Sequence, residues 1–202
     1  MTEYSFRYED SLYRKGCSIV AGVDEAGRGP LAGPVIAGAV VLPQSCDYHR
    51  FKDSKKLGVK ARERIYACIL EMNCPFGIGR ADPDEIADLN ILRASLLAMQ
   101  RAVVGLTIRP DYLLVDGKFP VPVDLPQSLL VRGEGESASI AAASIIAKVS
   151  RDQIMTELHE QFPCYNFHKN KGYPTREHRM LIRQHGPSAV HRASFKGVRE
   201  YL

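Results

Sequence analysis

Two acidic residues stand at the entrance to a glycine- and proline-rich turn that separates two apolar runs. The runs, Ser18–Val23 and Val35–Leu42, have the length and the β-branched content of strands. Between them, Ala26–Pro34 contains three glycines and two prolines. The pattern predicts an antiparallel pair of strands, with Asp24 and Glu25 at the end of the first.

The remaining pattern alternates between helices and strands. A helix near Val59–Met72 precedes a third strand over Cys74–Ala81. Asp82, followed by a proline and then Glu85, is typical of a helix start, and this helix is expected to reach about Val104. Further strands are predicted at Tyr112–Val115 and Leu129–Val131, and further helices at Ser137–Gln161 and Thr175–His185. The order predicts an α/β fold with a mixed sheet.

Composition limits the classes of protein to be considered. A chain of 202 residues, 45% apolar and 25% charged, fits one globular domain with or without a small appendage. Its polar opening residues and short apolar runs predict a cytoplasmic protein with no targeting segment and no membrane association. Five cysteines without C-x-x-C spacing indicate reduced thiols, not a disulfide framework or a zinc site.

Basic residues are concentrated at the C-terminal end. From Lys148 onward, ten Lys/Arg face five Asp/Glu, a surplus of +5, so the first 147 residues of this +4 chain sum to −1. Such a surface can face phosphates. On charge alone, an ordinary solvated helical face explains it equally well.

Four carboxylates stand where predicted strands give way to glycine turns: Asp24, Glu25, Asp116 and Glu134. Acids at neighbouring strand ends can converge in one cleft, where they repel one another unless a cation joins them. Carboxylate oxygens suit Mg²⁺ or Mn²⁺. Neighbouring strand residues face opposite ways, so we expect the first strand to end or bulge there, where Ala26-Gly27 suits a bulge. Each acid taken singly is more typical of a turn or a helix cap, and it is their repetition at successive strand ends that favours a shared site.

The segment Gly27-Arg28-Gly29 is either a plain turn or a place of close backbone approach to a ligand. Such an approach is what contact with a sugar 2′-hydroxyl requires. The G-x-G-x-x-G spacing of dinucleotide sites is absent.

Several blocks in the chain resemble the ribonuclease HII family, in that family's order over about residues 18 to 196. The blocks are 22–35 (GVDEAGRGPLAGPV), 53–57 (DSKKL), 89–92 (LNIL), 115–117 (VDG), 139–149 (SIAAASIIAKV), 168–175 (HKNKGYPT) and 191–195 (HRASF). The resemblance implies an RNase H-like mixed five-stranded sheet flanked by helices, with a helical C-terminal appendage. It implies a catalytic core over residues 1–150 and a substrate-binding extension over 151–202, packed together as one compact unit.

The resemblance also implies an activity: metal-dependent hydrolysis of the RNA strand of RNA/DNA hybrids and cutting 5′ of single ribonucleotides in duplex DNA, as in ribonucleotide excision and primer removal. The products would carry a 3′-hydroxyl and a 5′-phosphate. Asp24, Glu25 and Asp116 would be catalytic metal ligands. Gly27, Arg28 and Gly29 would read the 2′-hydroxyl, and Tyr173, otherwise a helix-start aromatic, would pack on the sugar at the DNA side of the junction. Candidate phosphate contacts are Lys55, Lys169, Lys171, Arg192 and Ser194.

One position departs from the family pattern. The family has Gly-Asp before its long helix, and this chain has Gly133-Glu134, with Glu136 as a competitor two residues on. Alignment on the following helix favours Glu134 as the fourth ligand. Because Glu is one methylene longer than Asp, we expect lower activity or a preference for Mn²⁺ over Mg²⁺, whose geometry is less forgiving.

Two alternatives remain open from the sequence. One is a neighbouring nuclease, such as ribonuclease HIII or a recombinase-type enzyme of the same fold. The other is a non-catalytic protein that binds RNA/DNA hybrids through a metal site impaired by Glu134. A monomer is expected, and the number of metals and any protein partner are left open.

Overall fold

The computed structural model describes residues 6–51 and 58–202, so Lys55 lies outside the described residues. Within them the chain forms one sheet with strand order β3-β2-β1-β4-β5. The strands are β1 Val20–Ala26, β2 Val35–Val41, β3 Phe76–Ala81, β4 Tyr112–Asp116 and β5 Gln127–Leu130. The first three are antiparallel neighbours, whereas β4 is parallel to both β1 and β5. The predicted mixed five-stranded α/β fold is confirmed.

Helices cover both faces of this sheet. They are α1 Arg7–Arg14, α2 Val59–Glu71, α3 Pro83–Val104, α4 Ala138–Gln161, α5 Phe167–Asn170 and α6 Arg176–His185. Short 3₁₀ turns occur at Tyr48–Phe51, Gly133–Gly135, Pro163–Tyr165 and Arg199–Tyr201. The sequence patterns did not indicate α1 and α5.

Alternation along β1 assigns its residues to two separate cores. Ala21 and Val23 pack with residues of α3, whereas Val20 packs with Ile140 of α4. Gly22 also faces α4, and it lies so close that a Cβ would overlap the Ser139 backbone. The small residue therefore lets the central helix lie directly on the central strand.

Two predicted elements differ from the structure. Strand β1 stays regularly paired with β2 through Asp24 and Glu25 and ends only at Ala26, so the expected end or bulge at the two acids is wrong. Helix α3 is interrupted at Asn90, whose φ is 67° and whose side-chain oxygen accepts from the Leu92 and Arg93 amides. Asn tolerates this left-handed conformation and recaps the second half of the helix.

The boundary predicted at residue 150 falls inside α4, which runs unbroken from Ala138 to Gln161. The division into two units stays a prediction. Among the helices of residues 6–51 and 58–202, none is long and apolar enough to cross a membrane.

Candidate active site

Three carboxylates meet at one edge of the sheet. Asp24 lies on β1, Asp116 ends β4, and Glu134 lies in the turn before α4. One carboxylate oxygen from each lies within 4.8 Å of the others. Because β1 and β4 are parallel neighbours, their carboxyl ends reach the same edge. The Gly133 amide donates to an Asp116 carboxylate oxygen at 2.7 Å and so ties the Glu134 turn to β4.

Glu25 approaches from the other face of the sheet. As the neighbour of Asp24 in a regular strand, it shares the face of Ala21 and Val23. It lines a small cleft with Asp116 and with residues of α3, and it accepts from the Arg28 guanidinium at 3.2 Å. The three-residue cluster therefore does not include Glu25, which lies beside it at the end of β1.

Burial and mutual repulsion disfavour charge in this group. Asp24 is only 4% exposed. Burial, followed by the negative charges of Glu25 and Asp116, raises the pKa of Asp24 well above its ordinary value. Burial also raises the pKa of Glu25, whose Oε2 is buried without a hydrogen-bond partner among the described residues. A set of buried, repelling carboxylates fits a hard divalent cation, which would neutralise them.

The structure separates the two candidates for the fourth position. Glu134 is buried in the cluster, with 8% exposure. Glu136 instead accepts from the Arg7 guanidinium and from the Tyr8 hydroxyl, both at 2.9 Å. Helix α1 thus holds Glu136 away from the site.

The glycine loop turns sharply beside the carboxylates. Gly27 has φ +101°, a region that side chains rarely adopt, and a Cβ there would overlap the Arg151 side chain. Arg28 is half exposed next to Glu25. Gly29 lies near Tyr173: a Cβ built there would be 4.0 Å from the Tyr173 ring. The loop therefore presents its backbone between the acids and an aromatic side chain.

Two buried arginines support this loop from below. The Arg192 guanidinium, fully buried, donates to the carbonyls of Gly27, Arg28, Pro30 and Gly33 at 2.6–3.1 Å. Its predicted role as a phosphate contact does not agree with this placement, because its N–H groups are directed into the protein.

Arg151, on α4, is also fully buried. Its guanidinium donates to the carbonyls of Pro34, Ala32 and Lys171. Burial lowers the pKa of Arg151, and burial together with the charge of Arg151 lowers that of Arg192 to about 9. With a pKa of about 9, Arg192 therefore remains charged at neutral pH, bonded to backbone oxygens.

The remaining predicted contacts differ in exposure and in their partners. Tyr173 is 39% exposed, and the Lys148 ammonium lies 5.6 Å from its ring centroid. Lys169 is exposed and pairs with Glu177 at 3.6 Å. The Lys171 ammonium donates to the Asp152 carbonyl and the Thr156 hydroxyl, which ties it to α4. Ser194 is exposed.

Sequence reasoning missed Arg151 and the buried pair His178 and His191, whose ring nitrogens lie 3.1 Å apart. The histidines are thirteen positions apart, a separation with no recognised ligand spacing. Arg151 belongs to a helical run in which nothing marks it as buried. The density of Gly and Pro in the loop, whose carbonyls need donors, was the one available signal.

A family model described as Ribonuclease HII matches residues 21–198. Ribonuclease HII of Desulfotalea psychrophila is 53% identical over 201 residues, covering 98% of this chain and 89% of that protein. The chain belongs to the ribonuclease HII family. Membership gives it ribonuclease H activity, and the acidic cluster fits the divalent metal on which that activity depends.

Solved structures agree on the fold. Ribonuclease H2 from Pyrococcus horikoshii OT3 has a TM-score of 0.76 at 23% identity, covering 91% of this chain and 97% of that one. Bst-RNase HIII in complex with Mn²⁺ has a TM-score of 0.75 at 20% identity, covering 94% of this chain and 70% of that one. The fold is thus shared by HII and HIII enzymes, and it is the sequence match that assigns the chain to HII.

Proposed function

We propose that this ribonuclease HII cuts on the 5′ side of single ribonucleotides embedded in duplex DNA, and also cleaves the RNA strand of RNA/DNA hybrids. The products would be a 3′-hydroxyl and a 5′-phosphate. The observation that carries the proposal is the adjacency of the buried carboxylates, the Gly27–Gly29 backbone and the Tyr173 ring. Such a site can bind a metal ion and recognise a sugar beside it.

The metal ligands in this proposal are Asp24, Asp116 and Glu134, with Glu25 completing the set from the other face of the sheet. A bound divalent cation would activate water and stabilise the leaving oxygen of a phosphodiester. The chain itself keeps Asp24 desolvated, because α4 covers one side of β1 and α3 the other. Both Mg²⁺ and Mn²⁺ suit this all-oxygen donor set.

In this proposal, the Gly27–Gly29 loop and Tyr173 select the substrate. Backbone groups at Gly27, Arg28 and Gly29 can approach a ribose closely because the glycines carry no side chain. A 2′-hydroxyl is the group that distinguishes ribose from deoxyribose. Tyr173 would pack against the sugar on the DNA side of the junction, and Lys169 and Ser194 remain candidate phosphate contacts on exposed surface.

A three-substrate assay tests this function. Duplex DNA with one ribonucleotide, the same duplex in all-DNA form and an RNA/DNA hybrid are each offered with Mg²⁺ and with Mn²⁺. We expect cleavage 5′ of the single ribonucleotide, cleavage of the hybrid and none of the all-DNA control. Cleavage at other positions, or of the hybrid alone, would contradict the proposal.

The same assay separates the non-catalytic alternative. A protein that only binds hybrids would retain the labelled hybrid in a gel-shift experiment without cutting it. Three carboxylates within one cluster, together with membership of the ribonuclease HII family, favour catalysis. A cytoplasmic location and a monomeric state stay predictions.

A further inference from the structure

A chain of hydrogen bonds runs through the protein to the backbone of Tyr173. The Ser188 amide and hydroxyl lie 3.0 Å and 2.8 Å from His191 Nδ1. His191 Nε2 lies 3.1 Å from His178 Nε2, and His178 Nδ1 lies 2.9 Å from the Tyr173 carbonyl oxygen. Both imidazoles are buried, with exposures of 0% and 5%. None of these groups takes part in the chemistry proposed for the carboxylates.

The backbone groups of Ser188 and Tyr173, at the two ends of this series of hydrogen bonds, fix the direction of every bond in the series. A backbone amide can only donate, so His191 Nδ1 is an acceptor and its proton is on Nε2. That proton is donated to His178 Nε2, which leaves the His178 proton on Nδ1. A carbonyl can only accept, and His178 Nδ1–H donates to the oxygen of Tyr173. Each histidine is thereby assigned one neutral tautomer.

The surroundings keep the pair neutral and in place. Burial lowers the pKa of His178 and outweighs the hydrogen bonds to the Tyr173 and Gly172 backbone, which raise it. The adjacent Arg179 guanidinium acts in the same direction as burial. Burial, followed by the proximity of His178, lowers the pKa of His191 to about 4. Tyr165 and Phe167 pack edge-on against the two rings, with centroid distances of 4.7 Å and 5.5 Å.

The same short segment also reaches the glycine loop. His191 pairs with Ala32 in an antiparallel bridge, and the Arg192 amide donates to the Leu31 carbonyl. The Leu31 amide in turn donates to the Gly172 carbonyl, next to Tyr173. The segment Ser188–Arg192 therefore contacts the glycine-rich turn directly, through His191 and Arg192, and is linked to Tyr173 through His178.

We propose that His178 and His191 are positioning residues, a neutral relay that orients Tyr173 against the sugar at the junction. The proposal rests on the function proposed above for Tyr173. It predicts that damage to the relay lowers cleavage at a single ribonucleotide more than cleavage of a continuous RNA/DNA hybrid. A purely structural role would lower both activities together.

Two substitutions of His178 form a matched pair. In Asn, the side-chain amide nitrogen is attached at the same distance from Cα as Nδ1 is in His, so His178→Asn keeps a donor for Tyr173, whereas His178→Leu removes it. We expect His178→Leu to lower the ratio of kcat/KM for the single-ribonucleotide duplex to that for the hybrid by about tenfold or more. The expected change for His178→Asn is about threefold or less.

Gln184→Leu is the control, because Gln184 is an exposed polar residue on the same helix and its loss is expected to leave the ratio unchanged. In a Tyr173→Ala background, His178→Leu should have no further effect on the ratio, since the two changes act through one side chain. If Tyr173→Ala alone leaves the ratio unchanged, the role proposed for Tyr173 fails and the relay with it. If Tyr173→Ala lowers the ratio and His178→Leu does not, or if the effects multiply, the relay alone is overturned.

If His178→Leu does not fold, imidazole ¹⁵N spectra of the unmodified protein test the tautomers that the relay requires. At pH 7 we expect neutral rings, with the proton on Nδ1 of His178 and on Nε2 of His191. The assignments come from His178→Asn and from the corresponding His191→Gln spectrum. A charged ring at pH 7, or the opposite tautomer at either residue, overturns the relay.

Discussion

Two groups of buried charges lie within the same site, and they are stabilised in opposite ways. The guanidinium groups of Arg151 and Arg192 donate hydrogen bonds to seven main-chain carbonyls. The carboxylates of Asp24 and its neighbours instead repel one another. A buried charge that has its partners within the chain supports structure. A buried charge that meets like charges is destabilising until a ligand arrives, and such groups mark functional sites.

The largest effect is expected from a substitution in the carboxylate group, which should lower activity. Asp116→Asn keeps the shape of the cluster and removes a charge that a metal requires. We expect kcat to fall by about 10³-fold or more, because several kcal/mol of metal-derived stabilisation would be lost. Substrate binding, measured by fluorescence anisotropy in the presence of Mg²⁺, should persist. A variant with full activity would remove Asp116 from the metal site.

Substitution of a buried arginine should instead lower the stability of the folded protein. Arg192→Leu leaves four carbonyls of the glycine loop without their donor, and we expect the free energy of unfolding to fall by about 3 kcal/mol or more. Urea denaturation gives this value. Arg192→Lys keeps the charge without the planar fork and should recover only part of the loss. Full stability of the Leu variant would contradict the support assigned to Arg192.

The pH dependence of metal-free stability tests the carboxylates. The folded state raises the pKa of Asp24, so over a range above 3.8 it retains a proton that the unfolded chain has released. The contribution of Asp24 to stability is therefore fully present at low pH and is lost as pH rises through the folded pKa. Asp24→Asn has no such proton to lose.

The comparison with Asp24→Asn removes the contributions of other groups, including the histidines, whose lowered pKa acts in the opposite direction. We expect the stability of metal-free Asp24→Asn to exceed that of the wild type by a margin that grows from pH 4 to pH 8. Urea denaturation in EDTA at each pH gives the margin. A margin that shrinks with rising pH would be inconsistent with the raised pKa.

The smallest effect is expected at Glu134. Because the side chain is one methylene longer than the Asp of the family pattern, Glu134→Asp should change the ratio of activity in Mn²⁺ to that in Mg²⁺ by a few-fold, in favour of Mg²⁺. Glu136→Gln is the matched control, since Glu136 is bonded to helix α1 and should leave the ratio unchanged. Equal turnover with both metals in the wild type, unchanged in Glu134→Asp, would remove the support for a geometric penalty.

The contrast also explains what sequence could and could not predict. In the sequence, Asp24 and Asp116 come directly after apolar runs and Glu134 comes after a third run and a glycine, and the topology of parallel neighbours brings such positions together. The face occupied by Glu25 depended on where β1 ends, and strand ends are the least certain part of a sequence-based prediction. The family pattern located the loop and Tyr173, whereas the residues beneath them lack any periodic signal.

Arg192 shows the limit most clearly. In a basic C-terminal region an arginine is expected on the surface, and its sequence neighbours give no sign that it is fully buried. Its burial follows from the carbonyls of a turn about 160 positions earlier in the chain. Such a long-range requirement of backbone hydrogen bonding cannot be read from local composition.

The central claim is that the carboxylate cluster is destabilising until a divalent cation joins it. Thermal unfolding of the wild type and of Asp24→Asn, each followed over a series of Mn²⁺ concentrations at pH 7.5, tests it most directly. We expect the wild type to melt below the variant without metal, and its Tm to rise with Mn²⁺ while that of the variant changes much less. A wild type that melts above Asp24→Asn without metal and does not respond to Mn²⁺ would contradict the claim.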